Sequence, residues 1–481
     1  MSGLAGARVF QVGEMLQQRL LLGGFHRGSL SKAKTRHQPL MALCCQAFLR
    51  AIALRYLVGI DWTFKFNEDW HITNRFLYNS ADYFQPSLWH SNMENDQFLV
   101  RGLDNHVKQN RSTYTTNLDL VGKFATGIAR HEVLVGFDFF QFNQSSGNSY
   151  SDYSSLVPPI DIYNPNNSLV VANTDAIKQL PNNFFYKQDE TWYGIYFQDQ
   201  ITLWDKLHIL GGGRYNWAEY STGFSNLSFG NIQMTPVNDD AFNPRVGVLY
   251  QPWSWLSVYG NYVESFGTPN GGQSASGQPF SPETAQQGEV GIKTEWFDQR
   301  LNATLAFYDI TKRNILTPDP NDIRFSVSVG EARSRGVELD FTGKLTPNWS
   351  LLGSYAYTDA KITKDNSGNE GNQLMGVPLN SGNLWTKYEF DAGVLEGLSI
   401  GTGVFARGQR QGDNANSFQL PGFTRWDASI AYSFKQLGSK ITTQFNVYNL
   451  LDKTYYASSS GPVGITAGQP ITFLGSVRVE F

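Results

Sequence analysis

The sequence predicts an all-β protein, an antiparallel transmembrane β-barrel of the outer-membrane kind, and three observations carry that expectation. Composition is the first. Only 17% of the 481 residues are charged, 14% are aromatic, and 46 are Gly; an ordinary soluble domain carries about 25% charge. No apolar run reaches the roughly 18 uncharged residues that a spanning helix needs, and a mean hydropathy of −0.34 is too polar for a helical membrane bundle. The second observation is a rhythm of strand, short turn, strand and long polar loop. The third is tryptophan placement. Six of the 12 Trp (Trp70, Trp204, Trp253, Trp255, Trp296, Trp349) lie at or within two residues of a short turn. An indole is apolar yet its N–H needs a polar partner, so it prefers a bilayer interface.

Residues 1–57 differ in kind from the rest. They hold eight basic residues (Arg8, Arg19, Arg27, Lys32, Lys34, Arg36, Arg50, Arg55) against one acid, Glu14. They show no strand alternation, and they read as an unassigned basic segment that is not barrel-like. The stretch 40–49 could pass for the apolar core of a signal peptide, but no small-x-small cleavage pattern follows it. The only two cysteines, Cys44 and Cys45, are adjacent, which suits neither a disulfide nor a zinc site.

From residue 58 onward the short turns fall at 67–69, 126–130, 204–206, 251–255, 297–300, 346–348, 391–397 and 435–439. The last six are centred near 205, 253, 298, 347, 394 and 437, or 43–49 residues apart. Gly-, Asn-, Ser- and Pro-rich loops lie between them at 143–187, 223–240, 267–282, 364–378 and 453–470. A propeller would put four short strands in such a repeat, whereas each unit here holds two long ones. Two strands per unit, with short turns on one side and long loops on the other, is the barrel layout.

Alternation agrees with that layout. Phe473, Gly475, Val477, Val479 and Phe481 oppose Thr472, Leu474, Ser476, Arg478 and Glu480, and Trp426, Ala428, Ile430 and Tyr432 oppose Asp427, Ser429 and Ala431. A soluble sandwich would bury Phe473, Val477 and Ile430 between layers; a barrel would turn them to lipid. The eight turns imply sixteen strands, and the stretch 471–481 makes about 17. The first runs toward a short turn, so an odd number of strands would have to precede it.

The last half of the chain carries ordered motifs. Residues 281–293 (SPETAQQGEVGIK) follow the pattern P-E-x-x-x-x-x-E-x-G-x-K, ending on Glu289, Gly291 and Lys293. Residues 301–314 read LNATLAFYDITKRN, and 330–339 (GEARSRGVEL) contain Arg333, Arg335, Gly336 and Glu338. NWSLLGSYAYTDAKI spans 348–362, Gly376 to Asn380 reads GVPLN, and 445–456 read FNVYNLLDKTYY. In this order they resemble the barrel of TonB-dependent outer-membrane receptors of the ferric-siderophore class.

The resemblance implies a 22-stranded barrel with a plugged lumen, so that 17 strands would leave five missing. It also implies an N-terminal plug domain and a TonB-binding box. Residues 1–57 offer no counterpart of either, so the chain is expected to lack a plug and to be a fragment. The implied partners are a ferric siderophore, the TonB–ExbB–ExbD system in the full-length form, the outer-membrane assembly machinery, and lipid or lipopolysaccharide. The implied place is the outer membrane of a Gram-negative bacterium. The terminal Phe481 resembles the aromatic residue read during barrel assembly.

Candidate site residues follow. A ferric siderophore is bulky and partly aromatic, so exposed rings can stack on it. Tyr150, Tyr153, Tyr163, Phe184, Phe185 and Tyr186 in the loop 143–187 are ligand candidates, as are Phe266, Phe280 and Phe418 in or beside other long loops. The alternative for each is packing against its neighbours. Glu289, Arg333, Arg335 and Glu338 fall on strands and are expected to face the lumen, meeting either a plug or water. Asn449 and Asp452 are expected to organise a turn through their own backbone.

Other functions find little support. A net charge of −4 offers no field for nucleic acid. Seven scattered histidines show no metal-ligand spacing, Gly211-Gly-Gly-Arg214 lacks the lysine of a phosphate loop, and Gly401-Thr-Gly403 lacks a third glycine. The sequence therefore suggests no enzyme and no resident cofactor or metal, with iron arriving inside its chelate. The alternatives to a receptor are a plugless passive pore or a non-functional fragment.

Overall fold

A computed structural model describes residues 8–11, 52–151, 159–164, 184–268, 274–275, 280–321, 326–436, 438–459, 461 and 464–480. Among them are seventeen strands of nine residues or more. In chain order these are β1 (Ile52–Lys65), β2 (Trp70–Glu94), β3 (Phe98–Thr126), β4 (Ala129–Ser151), β5 (Phe184–Leu203) and β6 (Leu207–Ser225). Next come β7 (Val237–Trp253), β8 (Leu256–Gly267), β9 (Glu283–Trp296), β10 (Leu301–Pro318), β11 (Ser326–Thr346) and β12 (Trp349–Lys364). The last are β13 (Asn380–Glu389), β14 (Leu398–Arg407), β15 (Phe423–Gln436), β16 (Ser439–Tyr448) and β17 (Thr472–Glu480). All eight short turns expected from the sequence separate consecutive strands. The strand expected to open near residue 58 begins at Ile52, and part of it (Val58 to Asp61) pairs antiparallel with the short strand Arg8–Gln11.

The chain divides into two compact units. One comprises Met1–Phe124, His131–Asp199 and Gly213–Phe242; the other comprises Ala125–Arg130, Gln200–Gly212 and Asn243–Phe481. In the first, β1, β2 and β3 form an antiparallel ladder. A long loop is expected between β2 and β3, but only three residues join them. Asn95 (φ 54°) and Asp96 (φ 52°) are both left-handed there, the geometry that a twisted two-residue hairpin turn demands and that Asn and Asp tolerate. In the second unit the ladder runs unbroken and antiparallel from β7 to β17.

The register sorts that ladder into two faces. On one, Tyr250 pairs with Val258, Val258 with Ile292, Ile292 with Leu305, Leu305 with Leu339, and Leu339 with Tyr355. Further along, Tyr388, Ile400, Ile430 and Phe445 continue the apolar row. Ile430 is 46% exposed, Phe473 60% and Val477 68%. Among the described residues no second layer covers these side chains, as the barrel expectation requires. Tryptophans mark one border of this face. Trp253 stacks on Trp255 at 5.9 Å and Trp255 meets Trp296 at 5.2 Å, while the Trp296 and Trp349 indoles donate to Thr294 and Thr386 at 2.9 and 2.6 Å.

One glycine is needed beside the turn that joins β9 and β10. Gly343 has φ +150°, and a Cβ there would overlap the Arg300 carbonyl oxygen, the acceptor of the Lys344 N–H at 2.7 Å. Gly343→Ala is expected to cost about 2 kcal/mol, read as a lower urea midpoint of the chain in detergent. Gly211→Ala, with open space at its Cβ, should leave the midpoint unchanged; equal effects would refute the steric account.

Candidate ligand-binding site

The sequence places six ligand candidates in one loop, but the strands run further than expected. β4 continues to Ser151, so Tyr150 lies on a strand, and β5 opens with Phe184, Phe185 and Tyr186. The Phe184 ring stacks on Phe224 at 6.0 Å, and Phe185 meets Phe229 edge-on at 5.0 Å under Lys187, whose Nζ is 6.0 Å from the Phe229 centroid. The Tyr186 hydroxyl donates to Gln188 Oε1 at 2.9 Å. The Phe184 and Phe185 rings thus pack on the segment facing them, and Tyr186 bonds along its own strand. Tyr163 is 72% exposed, in a turn built by Asp161, whose Oδ1 accepts the Tyr163 N–H at 2.9 Å. The Gln97 amide first, and this N–H second, hold the Asp161 carboxyl below its ordinary range. The Tyr150 side chain, Tyr153 and the terminal Phe481 lie outside the described residues.

Phe266 is the penultimate residue of β8 and is half-buried, as are Phe280 and Phe418. The Phe418 ring covers Gly412, where a Cβ would overlap it. It belongs to a charged knot of side chains built by two short ribbons, Arg410–Gln411 with Gln419–Leu420 and Tyr456–Ser459 with Ile465–Ala467. Asp427, 2% exposed, accepts from Arg425 Nη2 at 2.8 Å and from the Asn449 N–H at 2.8 Å. Asn449, left-handed at φ 52°, donates its amide to the carbonyls of Lys453 and Gln469 at 2.9 and 3.0 Å. Asp452 accepts the Ile471 N–H at 2.8 Å. Asn449 and Asp452 therefore organise the backbone here, as their residue types suggest.

Arg410, also 2% exposed, donates to the Tyr456 and Ala457 carbonyls and sits 5.7 Å over Phe423. Burial first, and the Arg407 charge second, lower its pKa. Phe423 meets Tyr455 at a tilt, with centroids 4.4 Å apart, and Arg425 lies 4.7 Å over Phe405. Arg425 thus pairs with the buried Asp427, while Arg410 is held by backbone carbonyls and the Phe423 ring. Sequence reasoning missed Arg410 because the chain positions it from a loop ribbon. Arg425 and Asp427, two apart on one strand face, were legible as a pair.

The four strand candidates do not share one face. Glu289 pairs with Tyr308, Tyr308 with Gly336, and Ala306 with Glu338, so Glu289 and Glu338 lie on the polar face. There the Tyr259 hydroxyl donates to Glu289 at 2.7 Å, and an open cleft of about 570 Å³ is lined by Gln200, His208, Tyr259, Asn261, Glu289 and Lys293. Arg335 pairs with Asp309 and Val337 with Phe307. Arg333 and Arg335 therefore occupy the apolar face, against the expectation that they face a lumen. Strand parity explains the split, because positions 333, 335 and 337 alternate with 338.

In the first unit, Arg214 donates to both Asp138 oxygens, at 2.7 Å through Nη2, and to Asn216, and its guanidinium lies 5.7 Å over Tyr196, which donates to Asp119. Gly136 and Gly194 leave the room that Tyr196 and Arg214 fill. The glycine run before Arg214 is part of strand β6. Gly403 likewise lies against the ring of Trp385.

Comparison with known proteins adds an independent line. The family described as "TonB dependent receptor-like, beta-barrel" matches residues 47–450. The metal-pseudopaline receptor CntO of Pseudomonas aeruginosa is 32% identical over 424 residues, 86% of this chain and 58% of the relative. The ferrichrome outer membrane transporter/phage receptor of Escherichia coli K12 is 35% identical over 370 residues, 76% and 48%. The crystal structure of the siderophore receptor PiuA from Acinetobacter baumannii shares the fold at a TM-score of 0.75 and 23% identity, covering 90% of this chain and 64% of that one. The chain spans about half the length of the curated relatives it matches. It is an outer-membrane β-barrel protein, and it belongs to the TonB-dependent receptor family.

Proposed function

We propose that this chain is the barrel of an outer-membrane receptor for ferric siderophores, working through the TonB–ExbB–ExbD system. The observation that carries this is the family match over residues 47–450 together with relatives named for ferrichrome and metal-pseudopaline. The buried Arg410 and Asp427 and the half-buried Arg425, with the rings of Phe405, Phe423 and Tyr455, hold the neighbouring loop ribbons in place, and the exposed Arg407 beside them is a cation that an iron chelate with anionic oxygens would meet. Iron is cargo, carried inside the chelate. The polar face with Glu289 and Glu338 offers hydrated side chains for passage.

Deleting the gene and supplying single siderophores in iron-restricted medium tests the proposal. Growth on at least one ferric siderophore should be lost and return with the gene; undiminished growth on every siderophore tried would refute it. Ferrichrome is the first probe, because of the relative's name. Binding should quench the intrinsic tryptophan fluorescence of the purified chain, and apo-ferrichrome should quench it less.

A further inference from the structure

A short strap lies on the free edge of the first long strand. Arg8–Gln11 pairs antiparallel with the middle of β1, Arg8 opposite Asp61, Val9 opposite Ile60, Phe10 opposite Gly59 and Gln11 opposite Val58. β1 is 14 residues long, and β2 takes its other edge along the whole length. Among the described residues, the strap is the only partner on the edge away from β2. Crossing a bilayer takes about 9–11 residues of strand, so the strap is not a further barrel strand. An open strand edge is a template for pairing with another chain, and the strap sits at the centre of this one.

The order of residues in β1 makes that edge complementary to itself. A two-fold axis through Val58, normal to the sheet, sets a second β1 antiparallel to the first. Ile52 then stands opposite Phe64, Leu54 opposite Trp62, Tyr56 opposite Ile60 and Val58 opposite its own copy, an apolar row throughout. On the other face Arg55 stands opposite Asp61 on both sides of the axis, and Leu57 opposite Gly59. Directly opposed unlike charges favour such a pair. The strap reproduces this partner. Against Asp61, Ile60 and Gly59, Arg8, Val9 and Phe10 take the places that Arg55, Tyr56 and Leu57 of a second copy would hold, a cation followed by two apolar residues. It departs only at Gln11, which stands against Val58 where a second Val58 would be.

We propose that Arg8–Gln11 is an internal guard that holds the centre of the β1 edge and keeps it from pairing with β1 of a second copy. Antiparallel copies run in opposite directions, whereas barrels of this kind put their short turns on one side of the membrane. A β1–β1 pair therefore forms only outside the bilayer, where it would stop both members from inserting the same way, and the guard acts before insertion or in detergent. With the strap in place the longest free run of the edge is residues 52–57. The guard does not depend on the siderophore ligand, so either can fail alone.

The test compares self-association of the purified full chain and two guardless forms in detergent, by light scattering after gel filtration. Val9→Pro/Phe10→Pro takes two backbone N–H groups from the strap, and deletion of residues 2–11 removes it outright. Each should self-associate about 10-fold more tightly than the parent, with the parent's strand content by circular dichroism. Disulfide formation reads the register once Cys44→Ser and Cys45→Ser are in place. Val58→Cys should link to its own copy in the guardless forms and not in the parent. Phe64→Cys, about 40 Å from its own copy in this register, should not link. Asp61→Arg, which sets an arginine against Arg55 of the second copy, should return the guardless forms to monomers. Equal self-association of the parent and both guardless forms would overturn the proposal. Linking through Phe64→Cys as readily as through Val58→Cys, or dimers that survive Asp61→Arg, would overturn it too, since either would mean association without this register.

Discussion

Asp427→Ala is expected to destabilise the chain by about 4 kcal/mol, because it strands a cation and a backbone donor at once. Breaking a buried ion pair from one side costs about 3–5 kcal/mol, and an orphaned buried N–H costs about 1–3 kcal/mol. Arg425 would keep the Phe405 face and a 3.5 Å contact to the Tyr455 hydroxyl, and its side chain is 27% exposed, which holds the sum near the lower end. Asp427→Asn keeps an acceptor for the Asn449 N–H and should lose about half as much. Arg425→Met combined with Asp427→Asn should recover part of the loss, since no charge is left stranded. Urea midpoints in detergent give the order; a midpoint for Asp427→Ala within about 0.5 kcal/mol of the parent would remove this knot as the organiser of residues 449–471. Its loss should also speed proteolysis in that segment.

The two kinds of information in the sequence differ in reach. Strands and short turns were legible because each is set locally, by the parity of Phe473 against Leu474 or by the Asn67 side chain, whose Oδ1 accepts the N–H groups of Asp69 and Trp70 at 2.9 and 2.8 Å. The tight turn at Asn95-Asp96 was legible in principle too, but an expected rhythm of long loops hid it. Faces were half legible: Arg333 and Arg335 could have been separated from Glu338 by counting, since odd and even residues of a strand cannot point the same way. Tertiary placement was not legible. Nothing local says that Arg410 reaches the carbonyls of Tyr456 and Ala457, 46 and 47 residues away, or that Phe185 packs on Phe229. Counting aromatics in a loop overestimates a binding surface whenever strand ends extend into that loop and use its rings for packing.

Exposure alone does not identify the solvent, and Ile292 separates the two possibilities. It is 39% exposed, between Val258 and Leu305 in the apolar row. In water, an exposed isoleucine accepts arginine within about 0.5 kcal/mol. In lipid, arginine at the middle of the bilayer costs about 2–4 kcal/mol. Ile292 stands four residues from Trp296, about 13 Å along the strand and about 10 Å along the normal, close to the middle of a band about 25 Å tall. Ile292→Arg should therefore cost about 2–4 kcal/mol when the chain is folded into lipid vesicles. Asn302→Arg, on the polar face opposite Glu295, should cost close to nothing in the same vesicles. A neutral Ile292→Arg would mean that water covers the apolar row, and the membrane-facing surface would be lost with it. A costly Asn302→Arg would instead mean that the polar face is packed, so that no hydrated path runs beside Glu289 and Glu338.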